Sequence, residues 1–173
     1  MKNYCMKTFK IFVLILVASL GLALLPGLDA LDRNSTNADW LTMEEAQKKA
    51  SVDGKPLFVF IEAEWCGICR QMLKNIFPEE EISEKLTEKY HPVLIDLDSK
   101  KQILFNEDKM TEREFARKME VVATPTTLFF DSDGIELGRQ LGGMDKKQII
   151  RLMAYVASDQ FFEVTLDEFE MDG

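Results

Sequence analysis

Residues 57–69 read LFVFIEAEWCGIC, and this stretch joins a strand signal to a pair of cysteines. Leu57–Ile61 is a short, continuous apolar run, which is typical of a strand that is buried on both faces of a sheet. A helix is predicted to begin near Gly67, directly after that strand. Cys66 and Cys69 therefore fall at the first turn of a helix that follows a buried strand.

Cysteines in this position are suited to thiol chemistry. A helix N-terminus carries partial positive charge, which stabilises a thiolate, and the thiolate is the nucleophile in disulfide exchange. Cys66 is therefore the expected nucleophile. Cys69 lies one turn inside the helix and is the expected resolving thiol.

Three other interpretations of the cysteine pair stay open. Half of a zinc site is disfavoured, because the chain after residue 30 has no other cysteine and a single histidine, His91, which we expect to lead into the next strand as an ordinary residue. A purely structural disulfide is weak, since closing so short a loop removes little chain entropy. A chance pair is disfavoured by the strand-to-helix context. No metal is expected.

The composition of the 173-residue chain excludes several classes of protein. With 46% hydrophobic residues it is too apolar to be a disordered tail, and its length suits one domain. The net charge of −9 would repel nucleic-acid phosphates, so no nucleic-acid partner is expected. Three cysteines are too few for a disulfide scaffold, so any cysteine chemistry must be local.

The first 30 residues resemble a secretory signal peptide. Lys2, Lys7 and Lys10 precede the apolar run 11–25, and residues 28–30 offer a cleavage site. The alternative is an uncleaved membrane anchor, but the run is shorter than the roughly 20 apolar residues that a membrane helix needs. We expect an exported protein, in the periplasm or another extracytoplasmic compartment, that contacts the membrane only if this segment is retained.

Outward from residues 57–69 the pattern alternates between helix and strand. The other predicted elements, in chain order, are a lead-in over 31–41, a helix from the capping box at Thr42 to Gly54, a helix from Gly67 interrupted at Pro78, a helical stretch over 79–89, a strand Val93–Leu97, a hairpin or loop insertion over 99–110, a helix after the capping box at Thr111, strands Thr127–Phe130 and Ile135–Leu141, and a helix Asp145–Ala157. This order predicts an α/β fold in which helices cover both faces of a central sheet.

Residues 158–173 form an acidic C-terminal tail. They hold six acids and no base, interleaved with Phe161, Phe162 and Phe169. Three interpretations are open: a partner-docking tail, a last strand or helix packed by its phenylalanines, and a mostly solvated tail. Without residues 1–30, which contain three lysines and one aspartate, the remaining 143 residues carry a net charge of −11.

Two separated motifs resemble the thioredoxin family, and the likeness covers most of residues 42–157. Residues 63–69 resemble the family's active-site segment, and residues 122–126 (VATPT) resemble the loop whose proline is cis and faces the two cysteines. Residues 129–134 and Gly142–Gly143 resemble the hairpin that follows. The leading helix, the insertion and the export signal make the chain most similar to exported thioredoxin-related reductases, including the soluble partner domains of the DsbD type.

The resemblance implies a thioredoxin-like fold, with a central mixed β-sheet flanked by helices and an N-terminal helix extension. It also implies that Pro125 is cis and that Thr124 offers backbone hydrogen bonds to an extended substrate strand, the alternative being an ordinary trans turn. Trp65 is expected to act as a lid or substrate contact beside the cysteines, or else to pack in the core.

One position departs from the family pattern. Many thioredoxins carry a buried acid on the strand before the motif, where this chain has Phe60. Glu62 shares a strand face with Phe60 and is a candidate for proton transfer, the alternative being a partly solvated carboxylate without a catalytic role. Arg70 would favour a thiolate at the motif, whereas Glu64 would oppose it.

The resemblance implies an enzyme, a thiol:disulfide oxidoreductase with no cofactor beyond its redox-active Cys66–Cys69 disulfide. Its expected substrates are protein or small-molecule disulfides. Reduction is the preferred direction, with electrons from a membrane donor. The alternatives are a disulfide-forming oxidase of the same fold and a non-catalytic peptide-binding or chaperone module.

Overall fold

The structure is a computed structural model that describes residues 39–171. The expected export segment, 1–30, and most of the lead-in lie outside the described residues. In the described part, no helix combines the length and the apolar character needed to cross a membrane. The elements in chain order are α1 (Met43–Asp53), β1 (Leu57–Glu62), α2 (Gly67–Asn75), α3 (Glu80–Lys89), β2 (His91–Asp96), β3 (Gln102–Phe105), β4 (Asp108–Thr111), α4 (Glu112–Lys118), β5 (Thr126–Phe130), β6 (Glu136–Leu141), α5 (Lys146–Val156) and a short 3₁₀ helix (Asp159–Phe162).

Strand β1 lies inside a four-stranded sheet with the order β2-β1-β5-β6. It pairs parallel with β2 and antiparallel with β5, and β6 pairs antiparallel with β5. The sheet is therefore mixed, as the resemblance implied. All residues of β1 except Glu62 are buried, which confirms the strand predicted from the apolar run.

Alternate residues of β1 enter two different cores, because side chains of a strand point to opposite faces. Phe58 and Phe60 enter a core that includes residues of α2, α3 and α5. Leu57, Val59 and Ile61 enter a second core with residues of α1 and α4. Burying each of these side chains contributes roughly 2 kcal/mol to folding. The predicted coverage of both faces by helices is confirmed.

The last two residues of the expected lead-in belong to the packed body. Leu41 forms a parallel bridge with Val93, and its amide donates to the carbonyl of Pro92 at 2.8 Å. The ring of Trp40 packs edge-on against Phe77, with centroids 5.2 Å apart. The chain is thus attached to the outer edge of β2 immediately before α1 begins.

Capping boxes start three of the helices. The Thr42 box with Glu45 opens α1, and the Thr111 box with Glu114 opens α4, as predicted. A third box, which the sequence pattern did not single out, begins at Asp145 and opens α5. Each cap is worth about 1 kcal/mol, since it satisfies amides that lack a partner in the first turn.

Strand β2 begins two residues before the predicted start at Val93, and this changes the interpretation of His91. His91 is the first residue of the strand and pairs in register with Leu57. Its side chain is buried, and its Nε2 lies 2.9 Å from Oδ1 of Asp53. Only the predicted position ahead of the strand is wrong, since His91 belongs to β2; the contact that holds its side chain comes from the end of α1, 38 residues away.

The insertion at 99–110 contains a hairpin, β3 and β4, which forms a sheet of its own. Its turn places Asn106 and Glu107 in the left-handed region, with φ of 49° and 68°. Two side chains of α1 accept hydrogen bonds from the backbone of this hairpin: Glu44 from the amide of Leu104 at 2.7 Å, and Gln47 from the amide of Asn106 at 3.1 Å. Helix α1 therefore satisfies amides on an exposed strand edge.

The acidic tail packs against α5 through its aromatic residues. Phe169 is buried, and the ring of Tyr155 lies 5.1 Å from Phe161 and 5.4 Å from Phe169 between centroids. The Tyr155 hydroxyl donates to the carbonyl of Val164 at 2.8 Å. The guanidinium of Arg151 donates to the carbonyls of Leu166, Asp167 and Phe169. Of the three interpretations, the structure favours a last element packed by its phenylalanines.

Removing the Arg151 guanidinium should loosen this tail. Arg151→Met keeps the aliphatic chain but leaves several carbonyls without their donor, at a cost of about 1–3 kcal/mol in local stability. Amide hydrogen exchange over residues 164–169 should therefore become faster. Lys147→Met, on the exposed surface of the same helix, is the matched control. Equal exchange in the two variants would show that Arg151 does not hold the tail.

Candidate active site

The two cysteines lie at the N-terminus of α2, where the sequence pattern places them. Cys66 is the N-cap residue, and its Sγ accepts a hydrogen bond from the Cys69 amide at 3.1 Å. The two residues are joined by a disulfide. Cys66 keeps 5% of its surface exposed and Cys69 none. The more exposed of the two cysteines is therefore also the one whose sulfur accepts a helix N-terminal amide.

The VATPT loop lies beside the cysteine loop because of the antiparallel pairing of β1 with β5. Ile61 pairs with Thr126, so the residues just before β5 adjoin the end of β1. The Thr124–Pro125 peptide bond is cis. The hydroxyl of Thr124 is buried and makes no hydrogen bond to any of the described residues. Thr124 and Pro125 thus lie at the edge of the sheet from which the cysteine loop leaves.

Gly143 completes this side of the site by leaving room for the CGIC motif. A Cβ added to Gly143 would lie 2.6 Å from Cγ2 of Ile68, which is far too close for carbon atoms. The preceding Gly142 has φ of 83°, a left-handed conformation that favours glycine. Gly143 is therefore required by the position of Ile68, and Gly142 by its own backbone conformation.

Trp65 lies on the surface rather than in the core. Its side chain is 64% exposed, and its Nε1 donates to Oδ2 of Asp98 at 2.8 Å. The core-packing alternative is therefore wrong. Asp98 follows β2, and its bond fixes the indole next to Cys66. A substrate contact at Trp65 stays a prediction.

Glu62 lies at the end of β1 in an acidic environment. Its register partner on β2 is Asp96, while Phe60 is fully buried on the same strand. Burial raises the pKa of the half-buried Glu62 carboxyl, and the negative charges of Asp96 and Glu112 raise it further. The positive charge of Arg70 acts in the opposite direction. Glu62 therefore holds its proton to a higher pH than an ordinary glutamate.

Arg70 and Glu64 are also linked through the backbone. The Arg70 guanidinium donates to the backbone carbonyl of Glu64, so it bridges the turn before Cys66. Both side chains are exposed. Arg70 thus combines a structural contact with a positive charge beside the cysteine loop.

The structure brings in residues that the motifs did not single out. Glu112 is buried; its Oε2 accepts from the Asp96 amide at 3.2 Å, and its Oε1 lies 3.4 Å from Nζ of Lys101. Arg113 donates to the backbone carbonyl of Asp98 at 2.8 Å. The sequence pattern indicated only weakly that Glu112 and Arg113 lie near the site. Both residues come directly after Thr111, which caps a short helix. Among the described residues, no group of three or more His, Cys, Asp or Glu side chains is arranged to hold a metal ion.

A protein-family model described as a thioredoxin-like domain matches residues 43–157. The chain belongs to the thioredoxin-like family. The match includes both motifs and confirms the family and the fold inferred from them. Together with the linked cysteine pair, it makes the chain a thioredoxin-like thiol:disulfide oxidoreductase.

Curated relatives of this thioredoxin-like chain include thiol:disulfide interchange proteins named DsbD. The DsbD of Yersinia pestis is 30% identical over 104 residues, which are 59% of this chain and 16% of that protein. The DsbD of Colwellia psychrerythraea is 28% identical over 98 residues, covering 57% of this chain and 15% of that protein. The chain thus corresponds to a small part of each relative.

Solved structures agree on the fold. A thioredoxin from Thermus thermophilus superposes with a TM-score of 0.61 at 22% identity, covering 73% of this chain and 94% of that one. A thioredoxin-fold protein from Helicobacter pylori gives 0.59 at 18% identity, covering 67% and 77%. At these identities the likeness is evidence for the fold alone.

Replacing Glu62 with glutamine should stabilise the folded protein at neutral pH. Because folding raises the pKa of Glu62, its contribution to stability is full when the group is protonated and is lost as the pH rises through the folded-state pKa. The gain in the free energy of unfolding should be at most about 1 kcal/mol near pH 7, since solvent screens a half-exposed group, and it should shrink towards about pH 4. Chemical denaturation at both pH values measures it.

The matched control for this experiment is Glu64→Gln, which removes an exposed carboxylate from the same loop. It should leave the free energy of unfolding unchanged. A gain for Glu62→Gln that is the same at both pH values would contradict the assigned cause.

Proposed function

We propose that this protein is an extracytoplasmic reductase of protein disulfides that works through the Cys66–Cys69 dithiol. One observation carries the proposal: at the N-terminus of α2 the Cys66 sulfur accepts the Cys69 amide, and Cys66 keeps a small exposed surface while Cys69 has none. A thiolate at Cys66 would be stabilised by that donor and by the helix dipole. The buried Cys69 is protected from solvent until an exchange intermediate forms.

The exchange proceeds in two steps and needs no cofactor beyond the dithiol. The Cys66 thiolate attacks one sulfur of the substrate disulfide, and the other substrate sulfur leaves as a thiolate and takes up a proton. Cys69 then loses its proton and attacks Cys66 in the mixed disulfide. The second substrate thiol is released, and the Cys66–Cys69 disulfide forms. Two electrons have passed from the protein to the substrate.

Surface residues around the disulfide are suited to hold a substrate polypeptide. Trp65, Ile68 and Val122 are exposed apolar side chains, with Val122 90% exposed. Thr124 and Pro125 directly precede β5, beside the end of β1. We assign substrate contact to Trp65 and backbone pairing to Thr124 beside the cis Pro125, since extended chains add to exposed backbone edges.

The direction of electron flow and the compartment are part of the proposal. The DsbD relatives are named as thiol:disulfide interchange proteins, which supports disulfide exchange. We include a membrane electron donor and exported substrates in the proposal. The basic and apolar pattern of residues 1–30 supports export. Small-molecule disulfides, a disulfide-forming oxidase and a non-catalytic peptide-binding module are the alternatives that the experiments below separate.

Trapping of substrates tests the exchange mechanism. In Cys69→Ala the mixed disulfide on Cys66 cannot be resolved, so covalent adducts with client proteins should accumulate in the native compartment and disappear on reduction. Cys66→Ala is the matched control and should trap little, because Cys69 is buried. No adduct with Cys69→Ala, together with unchanged client binding, would favour the binding module.

A redox titration of the Cys66–Cys69 pair tests the direction. A reductase should have a midpoint potential near that of thioredoxin, about −270 mV, whereas the strongest disulfide-forming oxidant in this fold lies near −120 mV. Equilibration with glutathione or dithiothreitol buffers, read out by thiol alkylation, gives the value. A midpoint close to the oxidant would make the oxidase alternative correct.

Glu62 is the proposed proton acceptor for Cys69 in the second step. Burial among acids raises the pKa of Glu62, which makes its carboxylate a better proton acceptor than that of an ordinary glutamate. The Glu62→Gln variant therefore should release the mixed disulfide more slowly than Glu64→Gln at pH 7. Equal release rates would leave Glu62 without a catalytic role.

A further inference from the structure

A cleft with two arginines opens on the α4 side of the candidate site. It has a volume of about 380 Å³ and is lined by Leu97, Asp98, Arg113, Arg117 and Val121. The exchange mechanism uses none of these residues. The net charge of the chain is −9, whereas the charged residues that line this cleft are two arginines and one aspartate.

The cleft adjoins two segments that lead to the candidate site. On one side, Asp98 accepts the indole N–H of Trp65, the residue before Cys66. On the other side, Val121 begins the loop that leads to cis Pro125. A polypeptide held at the disulfide between these two loops therefore has the cleft within reach of its neighbouring side chains.

The two arginines differ in the contacts that their guanidinium groups make. Arg113 donates to the backbone carbonyl of Asp98 at 2.8 Å, and its guanidinium lies 3.6 Å from Oδ1 of the same residue. Arg117 lies one helical turn further on. Its backbone carbonyl accepts from the Glu120 amide at 3.0 Å, but its guanidinium makes no hydrogen bond or salt bridge with any residue in 39–171. The nearby Glu114 attracts Arg117 electrostatically, but its carboxylate is bonded to the amide and the hydroxyl of Thr111. Arg117 is therefore available to an incoming anion.

We propose that this cleft is a subsite for a carboxylate side chain of the polypeptide substrate, held by Arg117 with Arg113 beside it. A guanidinium binds a carboxylate through paired donors. The site selects disulfides that have an acidic residue near the reacting cysteine. The subsite adds substrate specificity to the proposed reductase and rests on that function.

The test compares three synthetic peptides that share one disulfide and differ in the residues flanking a cysteine. One carries glutamates, one glutamines and one lysines, placed two to four residues from the cysteine. The full-length chain in a mild detergent is reduced, freed of reductant and mixed with each peptide, and the second-order rate of thiol release is measured. The glutamate peptide should react about fivefold faster than the glutamine peptide at low ionic strength. The difference should shrink at high salt.

Two arginine variants and one control locate the effect. Arg117→Gln should abolish the preference for glutamate while the glutamine peptide keeps its rate. Arg117→Glu should reverse the preference in favour of the lysine peptide. Lys109→Gln removes one exposed positive charge outside the cleft and should retain the preference. A preference that survives in both Arg117 variants would overturn the assignment.

The subsite and the proposed function fail in different ways. Reduction of all three peptides at equal rates would leave the reductase intact and contradict the subsite. If no peptide is reduced, calorimetric binding of the same peptides with serine in place of cysteine still tests the cleft. Tighter binding of the glutamate peptide that is lost in Arg117→Gln would support the subsite, and equal binding would overturn it.

Discussion

The packing of β1 is the constraint on which the rest of the structure depends. Leu57–Ile61 are buried on both faces, and the strand pairs with β2 on one edge and β5 on the other. A strand surrounded in this way has one position and one register, because a shift by one residue would exchange the contents of the two cores. The end of β1 is therefore a fixed point, and the cysteine loop leaves from it.

Everything at the site is positioned relative to that end. The antiparallel neighbour β5 places Pro125 beside the loop, and the parallel neighbour β2 places Asp96 and Asp98 on the other side. The same geometry gives Cys66 and Glu62 opposite electrostatic environments. Amides at the start of α2 favour negative charge at Cys66, while burial among acids makes negative charge unfavourable at Glu62.

The hairpin and the C-terminal tail also have backbone polar groups that are bound by neighbouring side chains. The hairpin of β3 and β4 would expose strand amides, and side chains of α1 accept them. The acidic tail carries charges that remain in solvent, but Tyr155 and Arg151 bind its carbonyls, and Phe161 and Phe169 pack against Tyr155 of α5. The charge of the tail alone would predict a solvated segment. Its aromatic residues instead pack it against α5.

The amino-acid sequence by itself determined the local features of this protein. A five-residue apolar run, two threonine capping boxes and the CGIC motif each act within one turn or strand, so their residues alone predicted β1, α1, α4 and the placement of both cysteines. Contacts between distant segments required the tertiary structure. The pairing of His91 with Asp53, the bond from Trp65 to Asp98 and the cleft around Arg117 join residues that lie far apart along the chain or on different elements. Such contacts depend on how the sheet and its helices pack, and no local pattern of residues encodes that arrangement.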